Sequence, residues 1–214
     1  VWTSPNTFVS SANVGKHLVA TVDFVDIDPL TWMISPETLK AKLEECVNKS
    51  QPTPDVVVLV HFGGASYDLR RFSDLARKFN FKIVEDAAHA FGASYSQDTK
   101  VGCCRHSDIC VFSFHAIKPV TTGEGGAVTT RCGSLHEKMK QLRTHGITRD
   151  PKQFEGSADG PWYYEQKFLG FNFRITDFQC ALGLSQILRS DEFIARKREI
   201  SDTYKSQLNP DLTS

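Results

Sequence analysis

The chain has 214 residues, of which 23% are charged and 40% are hydrophobic, and its formal net charge at pH 7 is zero. Its length suffices for one good-sized domain, or for a domain and part of another. A zero net charge argues against a protein that binds nucleic acid or an anionic membrane surface, since both need a basic excess, and no apolar run approaches the roughly 20 residues that cross a bilayer.

Five stretches of the chain have the composition and periodicity of β-strands. The first alternates apolar and polar residues and ends at the Asp28-Pro29 turn. The second, from Val56 to Val60, is a continuous β-branched and leucine run, which is typical of a strand covered on both faces of a parallel sheet. The predicted strands lie at 22–27, 56–60, 81–84, 108–112 and 127–130.

Stretches with helical spacing lie between and after these strands. Ser35 followed by Pro36 begins one of them, because proline is favoured at the first helical position, and Leu39, Leu43 and Val47 form its apolar face. Strands that alternate with helices predict a doubly wound α/β layer, in which ligands bind at the carboxyl ends of the strands. The predicted helices lie at 7–14, 36–47, 68–79, 135–142, 177–185 and 191–208.

A long connection precedes the last two helices. It runs from about Gly146 to Gly170 and is rich in proline, glycine and aromatic residues, including Pro161-Trp162-Tyr163-Tyr164. Connections of this length inside a compact domain are usually functional or disordered. The aromatic residues favour a functional connection.

Six cysteines are scattered through the chain, and they indicate reduced, mostly buried thiols rather than a disulfide framework. We therefore predict a cytoplasmic protein. Cys103, Cys104, His106 and Cys110 are close enough in sequence to suggest a metal site, but adjacent cysteines without a paired CxxC motif match known zinc sites poorly. We expect no metal.

The predicted site is organised around the stretch 111–126. In it an apolar strand runs into a polar turn with a single lysine, Lys118, between Ser113 and a glycine cluster. Ile117 and Pro119 flank this lysine, so we expect its amine to lie in a restricted, partly apolar place rather than on a solvated loop. Desolvation disfavours an ammonium group and leaves a nucleophilic amine that can react with a carbonyl group.

A second stretch, 83–90, places Asp86 after another strand and His89 three residues later. Because both strands belong to the predicted sheet, Asp86 and Lys118 are expected to face one crevice. Taken singly, the aspartate also suits a strand-end cap and the histidine a core residue.

Pyridoxal phosphate is a natural ligand for such a crevice. Its aldehyde condenses with a lysine, its ring nitrogen needs an anion to stay protonated, and its phosphate needs hydroxyl and N–H donors. We therefore assign Lys118 to the aldehyde, Asp86 to the ring nitrogen and Ser113 to the phosphate. His89 is expected at the phenolic oxygen or on the face of the ring.

The strings EDAAHAFGASY and FSFHAIKPVTTGEGGAVTT, which contain these residues, resemble the sugar-nucleotide aminotransferases of the DegT/DnrJ/EryC1/StrS family. These are pyridoxal-phosphate (PLP) enzymes with the aspartate-aminotransferase fold, PLP fold type I, an α/β fold with a mainly parallel sheet. The resemblance implies the same roles for Lys118, Asp86, Ser113 and His89, and it adds Phe8 as an aromatic side chain packed on the cofactor. It extends over nearly the whole chain, through SPNTFVSSAN, FVDIDPLTW, VHFGGASYDL and LGFNFRITDFQCALGLSQ.

The same resemblance implies a homodimer with shared active sites, because Asn172 matches an asparagine that reaches the phosphate bound by the neighbouring subunit. It also implies a cofactor-binding large domain at 1–188 and, at 189–214, a helix that leads toward a smaller C-terminal domain. The family's glycine-threonine phosphate loop and most of the small domain have no counterpart in the sequence. We therefore expect the chain to be an internal fragment of a longer protein.

Within the family, LRTHGITRDPKQF and PWYYEQKFLGFNFRITD resemble the UDP-4-amino-4,6-dideoxy-N-acetyl-beta-L-altrosamine transaminases of pseudaminic acid synthesis. This implies transfer of an amino group, usually from glutamate, to a 4-keto-6-deoxy UDP-N-acetyl-amino sugar. His145, Arg149, Tyr163 and Tyr164 become candidates for substrate contact, with an ordered loop that packs on the sheet as the alternative.

Two other functions stay open at this point. One is a family member that acts on another sugar nucleotide, such as a dTDP- or GDP-4-keto sugar. The other is a truncated, non-catalytic homologue that keeps the fold. Related sugar dehydratases carry histidine at the lysine position, so Lys118 argues against that activity.

Overall fold

The computed structural model of the chain describes residues 1–96 and 99–208. The strands are β1 (Trp2–Thr3), β2 (Asp23–Phe24), β3 (Val56–Val60), β4 (Lys82–Asp86), β5 (Ser94–Ser96), β6 (Thr99–Lys100), β7 (Ile109–Ser113), β8 (Gly126–Thr129), β9 (Ile147–Thr148) and β10 (Glu165–Gln166). The helices are α1 (Ser10–His17), α2 (Pro36–Asn48), α3 (Leu69–Phe79), α4 (Gly133–Arg143), α5 (Asp177–Leu188) and α6 (Ser190–Gln207), with short 3-10 helices at Phe62–Gly64 and Pro151–Gln153.

The central sheet has six strands in the order β2-β1-β3-β4-β7-β8. Its pairs are parallel except β7 with β8, which is antiparallel because the chain returns through a loop instead of a crossover helix. Val60, Asp86 and Val111 lie opposite one another on three adjacent strands, so the carboxyl ends of these strands meet at one edge. The prediction of a mainly parallel α/β sheet is confirmed.

The main core lies where α2 and α3 cover β3 and β4. Leu39, Leu43, Phe72, Val57 and Ile83 are fully buried there. A continuous apolar strand suits this position, because both of its faces are covered.

The first turn of α2 agrees with the sequence prediction, but the buried face of this helix differs from the predicted one. Ser35 caps the helix in a reciprocal box with Thr38, and Pro36 is its first residue. Val47, predicted on the buried face, is 55% exposed, and Cys46 is buried instead. A helix of 3.6 residues per turn brings position 46 back over Leu39, whereas position 47 is rotated toward solvent.

The elements that sequence analysis missed are short. They are β1 and the hairpins β5–β6 and β9–β10, whose strands have two or three residues and therefore no readable period. Burial of Trp2 and Thr3 explains why β1 forms, since it lies inside the sheet between β2 and β3. The strand predicted at 22–27 is reduced to β2, and the helix predicted at 7–14 is displaced to Ser10–His17.

The end of the chain is helical, as predicted. Helix α5 ends at Leu188 and α6 begins at Ser190, next to the predicted domain boundary at 188–189. The division into a large domain and a helix toward a small one stays a prediction, and its last part, 209–214, lies outside the described residues. Across 1–96 and 99–208, none of the helices has the length and apolar character that a membrane span requires.

The core of α2 provides a direct test of this fold. Leu43→Ala is expected to lower the free energy of unfolding by about 2–5 kcal/mol, because it leaves a cavity at a fully buried position. Lys40→Ala on the exposed side of the same helix is the matched control, and a change of about 0–1 kcal/mol is expected for it. Urea-induced unfolding followed by tryptophan fluorescence measures both, and equal losses would contradict the burial of Leu43.

Candidate active site

Asp86 is the last residue of β4 and lies half-buried at the carboxyl edge of the sheet. One oxygen of its carboxylate accepts a hydrogen bond of 2.7 Å from the Ser11 hydroxyl, and the other accepts one of 3.2 Å from the N–H of Ala88. Its backbone carbonyl accepts a third bond, of 3.0 Å, from the N–H of His61. The Ser11 and Ala88 donors hold the carboxylate in one orientation, and the His61 donor holds the backbone of Asp86.

Lys118 lies in the loop between β7 and β8, and the base of this loop is closed by backbone hydrogen bonds. Phe114 donates its N–H to the Gly125 carbonyl at 2.8 Å and accepts from the Thr122 N–H at 2.9 Å. Nearer the tip, the Lys118 N–H donates to the His115 carbonyl at 3.0 Å, which forms a tight turn. Lys118 is half-buried, whereas the neighbouring Ile117 is mostly exposed.

The glycine cluster after Lys118 is required by the packing of this loop. A Cβ atom on Gly125 would lie 2.4 Å from the hydroxyl oxygen of Thr122. That hydroxyl is buried and donates to the Glu124 carbonyl at 2.7 Å, so it has little freedom to move away. The loop can therefore close only with glycine at this position.

His89 connects the acid and the amine electrostatically. Partial desolvation lowers the pKa of this exposed histidine, the Lys118 ammonium lowers it further, and the Asp86 carboxylate opposes both effects. His89 lies three residues beyond Asp86, the last residue of β4, and the loop with Lys118 follows the neighbouring strand β7. The segments that carry Asp86, His89 and Lys118 therefore leave adjacent strands at the same edge of the sheet, and their roles at one crevice stay predictions.

Two further predicted cofactor residues lie beside this group. Ser113, the last residue of β7, is two positions beyond the residue that pairs with Asp86, and its hydroxyl accepts a bond of 3.3 Å from the His115 N–H. Phe8 precedes α1, is 76% exposed and lies three positions before Ser11.

Ser11 was missed by the sequence analysis. A small polar residue in a helix carries no chemical signal of its own, and Ser11 is 75 positions away from its partner Asp86 in the sequence. Its hydroxyl is also 2.9 Å from the hydroxyl of Thr7, which extends the polar contact toward Phe8.

Asn172 and His145 form a second group. The backbone around Asn172 pairs with Thr144, and the His145 N–H donates to the Phe171 carbonyl at 2.7 Å. The side chain of Asn172 is exposed and accepts a bond of 2.9 Å from the Arg174 guanidinium. Their predicted roles, contact with a neighbouring subunit's phosphate and with substrate, stay predictions.

The long connection at 146–170 is folded and not disordered. Its ends pair as the antiparallel strands β9 and β10, so that the connection forms a long hairpin, and Glu165 binds the segment between these two strands. The Glu165 carboxylate accepts bonds from the N–H groups of Glu155 and Gly156 at 3.0 and 3.3 Å, and it pairs with the Lys167 ammonium at 2.5 Å. The Lys167 ammonium is the main cause of the lowered pKa of Glu165, which falls from 4.5 to about 2, and the N–H groups of Glu155 and Gly156 contribute to it.

The three remaining substrate candidates of this hairpin differ in their surroundings. Tyr163 donates its hydroxyl to Glu165 at 3.1 Å and packs edge-on against Phe154, with the ring centroids 4.9 Å apart. It therefore serves the packing of the hairpin itself. Arg149 and Tyr164 are exposed, and the guanidinium carbon lies 5.8 Å from the centroid of the tyrosine ring. The role of all three in substrate contact stays a prediction.

Comparison with known protein families gives a match over almost the whole chain. The model of the DegT/DnrJ/EryC1/StrS aminotransferase family matches residues 1–212. Among curated relatives, a UDP-4-amino-4,6-dideoxy-N-acetyl-beta-L-altrosamine transaminase of Campylobacter jejuni subsp. jejuni serotype O:2 is 35% identical over 97% of this chain and 50% of its own length. A GDP-perosamine synthase of Escherichia coli O157:H7 is 34% identical over 95% and 50%. The chain spans about half the length of the curated relatives it matches.

Solved structures agree with this match. PseC of Helicobacter pylori, an aminotransferase involved in the biosynthesis of pseudoaminic acid, superimposes with a TM-score of 0.82 at 34% identity, covering 98% of this chain and 52% of PseC. A sugar aminotransferase of Streptococcus pneumoniae, solved in a PLP form, gives a TM-score of 0.75 at 26% identity, covering 96% and 52%. The predicted resemblance and the predicted fold type are both confirmed.

The Glu165 contacts predict a pH-dependent hairpin. Because the pKa of Glu165 is lowered in the folded state, its stabilising effect is present above about pH 4.5 and is lost as the pH falls toward about 2. At pH 7, Glu165→Gln should therefore speed hydrogen exchange at the backbone N–H groups of residues 155 and 156, by about tenfold.

Glu155→Gln is the matched control for this measurement. Glu155 is almost fully exposed and makes one bond of 3.3 Å to Lys167, so its replacement should leave the exchange rates unchanged. Exchange rates measured by mass spectrometry on peptides from 149–164 report the result. Unchanged rates in Glu165→Gln would rule out this residue as the anchor of the hairpin.

Proposed function

The chain belongs to the DegT/DnrJ/EryC1/StrS aminotransferase family, and on that premise we propose that the protein containing it is a PLP-dependent sugar-nucleotide aminotransferase. The observation that carries the proposal is that Asp86 ends β4 opposite Val111 of β7, and that the loop with Lys118 leaves β7 two residues beyond Val111, at the same edge of the sheet. Pyridoxal phosphate is the cofactor of this family, and an amine and an acid at one crevice suit it.

The residues of the crevice fit the separate parts of the cofactor. Asp86 offers a carboxylate, held by Ser11 and Ala88, for the ring nitrogen. Ser113 offers a hydroxyl for the phosphate, and the exposed ring of Phe8 is available for packing on the pyridine ring. Lys118, at the tip of a loop with a closed base, offers the amine that condenses with the aldehyde.

In the proposed reaction, the bound cofactor supplies an electron sink for the carbon atom that loses a proton. Lys118 acts as the general base that removes the proton from the α-carbon of the amino donor, and in the second half-reaction it delivers a proton to C4 of the sugar. Asp86 would hold a proton on the ring nitrogen. His89 would hydrogen-bond the phenolic oxygen or lie on the face of the ring, and the lowered pKa of its imidazole favours the neutral form.

We propose glutamate as the amino donor and a 4-keto-6-deoxy UDP-N-acetyl-amino sugar as the acceptor, in pseudaminic acid synthesis for surface glycans. The names of the Campylobacter relative and of the Helicobacter structure support this acceptor. Arg149 and Tyr164, exposed side by side, would contact the charged and ring-shaped parts of such a substrate, and His145 and Tyr163 would complete the contact surface.

One of the relatives supports a second class of acceptor. The GDP-perosamine synthase of Escherichia coli is 34% identical to this chain, which is close to the value for the altrosamine transaminase. A GDP-4-keto sugar is therefore the alternative acceptor.

We propose that the active unit is a cytoplasmic homodimer with shared active sites. Helix α5 supports the dimer, because it exposes Phe178, Leu182, Leu184 and Leu188, an apolar surface that suits a second copy of the chain. Asn172 lies just before this helix and would reach the phosphate bound by the partner. All six cysteines are free thiols, which supports a reducing compartment.

The proposed role of Lys118 is tested by its replacement. Lys118→Ala should abolish both turnover and the covalent attachment of pyridoxal phosphate, because no other amine lies at the tip of this loop. Borohydride reduction followed by peptide mass spectrometry detects the attachment at residue 118. Lys40→Ala, on the exposed face of α2, should retain full attachment and turnover. A borohydride-fixed cofactor in the crevice of Lys118→Ala would end the assignment.

The proposed acceptor is tested by a panel of substrates. We expect the protein that carries this chain to convert 4-keto-6-deoxy UDP-N-acetyl-amino sugars, with glutamate as donor, at least about tenfold more efficiently than dTDP- or GDP-4-keto sugars. Mass spectrometry of the amino-sugar products measures the preference. Preferred conversion of the GDP sugar would replace the UDP acceptor by the alternative.

A further inference from the structure

A histidine and a glutamate are completely buried behind the crevice. The side chains of His61 and Glu85 are both 0% exposed, and Nε2 of the histidine lies 2.8 Å from Oε2 of the glutamate. The other ring nitrogen, Nδ1, lies 3.0 Å from the carbonyl oxygen of Ala65. A carbonyl oxygen can only accept, so Nδ1 carries a proton.

The pair shares one further proton. Nε2 and a carboxylate oxygen at 2.8 Å in a buried place require a proton between them, so the pair has no net charge wherever that proton resides. Tyr95 donates its hydroxyl to Oε2 of Glu85, and Ser107 donates to Oε1. Both carboxylate oxygens are therefore satisfied, as buried polar groups require.

The network lies directly behind the crevice. Glu85 and Asp86 are consecutive residues of β4, so their side chains point to opposite faces of the sheet, the first toward the buried network and the second toward Ser11. The N–H of His61 donates to the Asp86 carbonyl at 3.0 Å. A Cβ atom on Gly64 would lie 2.8 Å from the carbonyl oxygen of His89, so the turn at 61–65 packs closely on that residue as well.

We propose that His61 is a positioning residue for the pyridoxal-phosphate site. Its side chain binds Glu85 and so holds the turn at 61–65 against β4. That turn supports the backbone of Asp86 and His89. This inference rests on the proposed function, because it concerns the same cofactor. It adds residues that do not touch the crevice but determine where its acid and its histidine lie.

The physical reason is the penalty for breaking a buried pair. Removal of one partner leaves the other without its hydrogen bond in a place that water does not reach, so the end of β4 has to move to relieve it. Because Asp86 immediately follows Glu85, any such movement displaces the carboxylate meant for the ring nitrogen. Displacement of a supporting residue weakens a site even when the residues in contact with the ligand are unchanged.

Two substitutions test the contact between residues 61 and 85, since one removes this contact and the other keeps it. His61→Asn keeps a donor for the Ala65 carbonyl but is too short to reach Glu85. Glu85→Gln keeps the contacts, because its amide nitrogen can donate one proton to the neutral ring of His61 and the other to the hydroxyl oxygen of Tyr95, while its oxygen still accepts from Ser107. His136→Asn, on the exposed surface of α4, is the matched control.

The measurement is the dissociation constant of pyridoxal phosphate for the full-length protein, by fluorescence titration well below each variant's unfolding temperature. We expect His61→Asn to weaken binding by about tenfold or more, and Glu85→Gln to stay within about threefold of the wild type. The control should bind as the wild type does. A purely structural role would lower the unfolding temperature of His61→Asn without changing the affinity of the folded protein.

Wild-type affinity in folded His61→Asn would overturn the inference, and so would an equal loss in Glu85→Gln, whose geometry is preserved. If His61→Asn does not fold, Tyr95→Phe takes its place, since it removes one donor from Glu85 and leaves His61 intact. An affinity loss in that variant supports the inference and an unchanged affinity overturns it. A wild-type protein that binds no pyridoxal phosphate would instead refute the proposed function itself.

Discussion

The parallel pairing of β3, β4 and β7 is the constraint on which the rest of the structure depends. It places Val60, Asp86 and Val111 opposite one another, so that three chain segments leave the sheet at one edge. Parallel strands need covering on both faces, and α2 and α3 provide that cover on one of them. Asp86, His89 and the loop with Lys118 are found where these strands end.

Two consecutive acids at the end of β4 point to opposite faces of the sheet, so that one belongs to a buried network and the other is available to a ligand. Glu85 is completely buried and satisfied by His61, Tyr95 and Ser107. Asp86 faces the other way, is half-buried and is oriented by Ser11. A buried pair without net charge makes the strand end rigid, and the neighbouring carboxylate can then hold a ligand in a defined place.

The second half of the chain contributes surfaces more than core. The hairpin at 146–170 is held by Glu165 and exposes Arg149 and Tyr164, while α5 exposes a row of large apolar side chains. Helices and hairpins with so little burial of their own are typical of parts that meet a substrate or another copy of the chain.

The sequence by itself determined the strands and helices that are long enough to show a period, such as β3 and α3, and it indicated Lys118 and Asp86 as candidate site residues because their chemical signal is local. It also indicated the family, because the motifs around these residues are continuous in the chain. Only the tertiary structure decided the short strands, the exchange of Val47 for Cys46, the contact of Ser11 with Asp86 and the burial of His61 against Glu85. The physical reason is that periodicity records which side of one element is buried, whereas a hydrogen bond between residues far apart in sequence exists only after the sheet has brought their segments together.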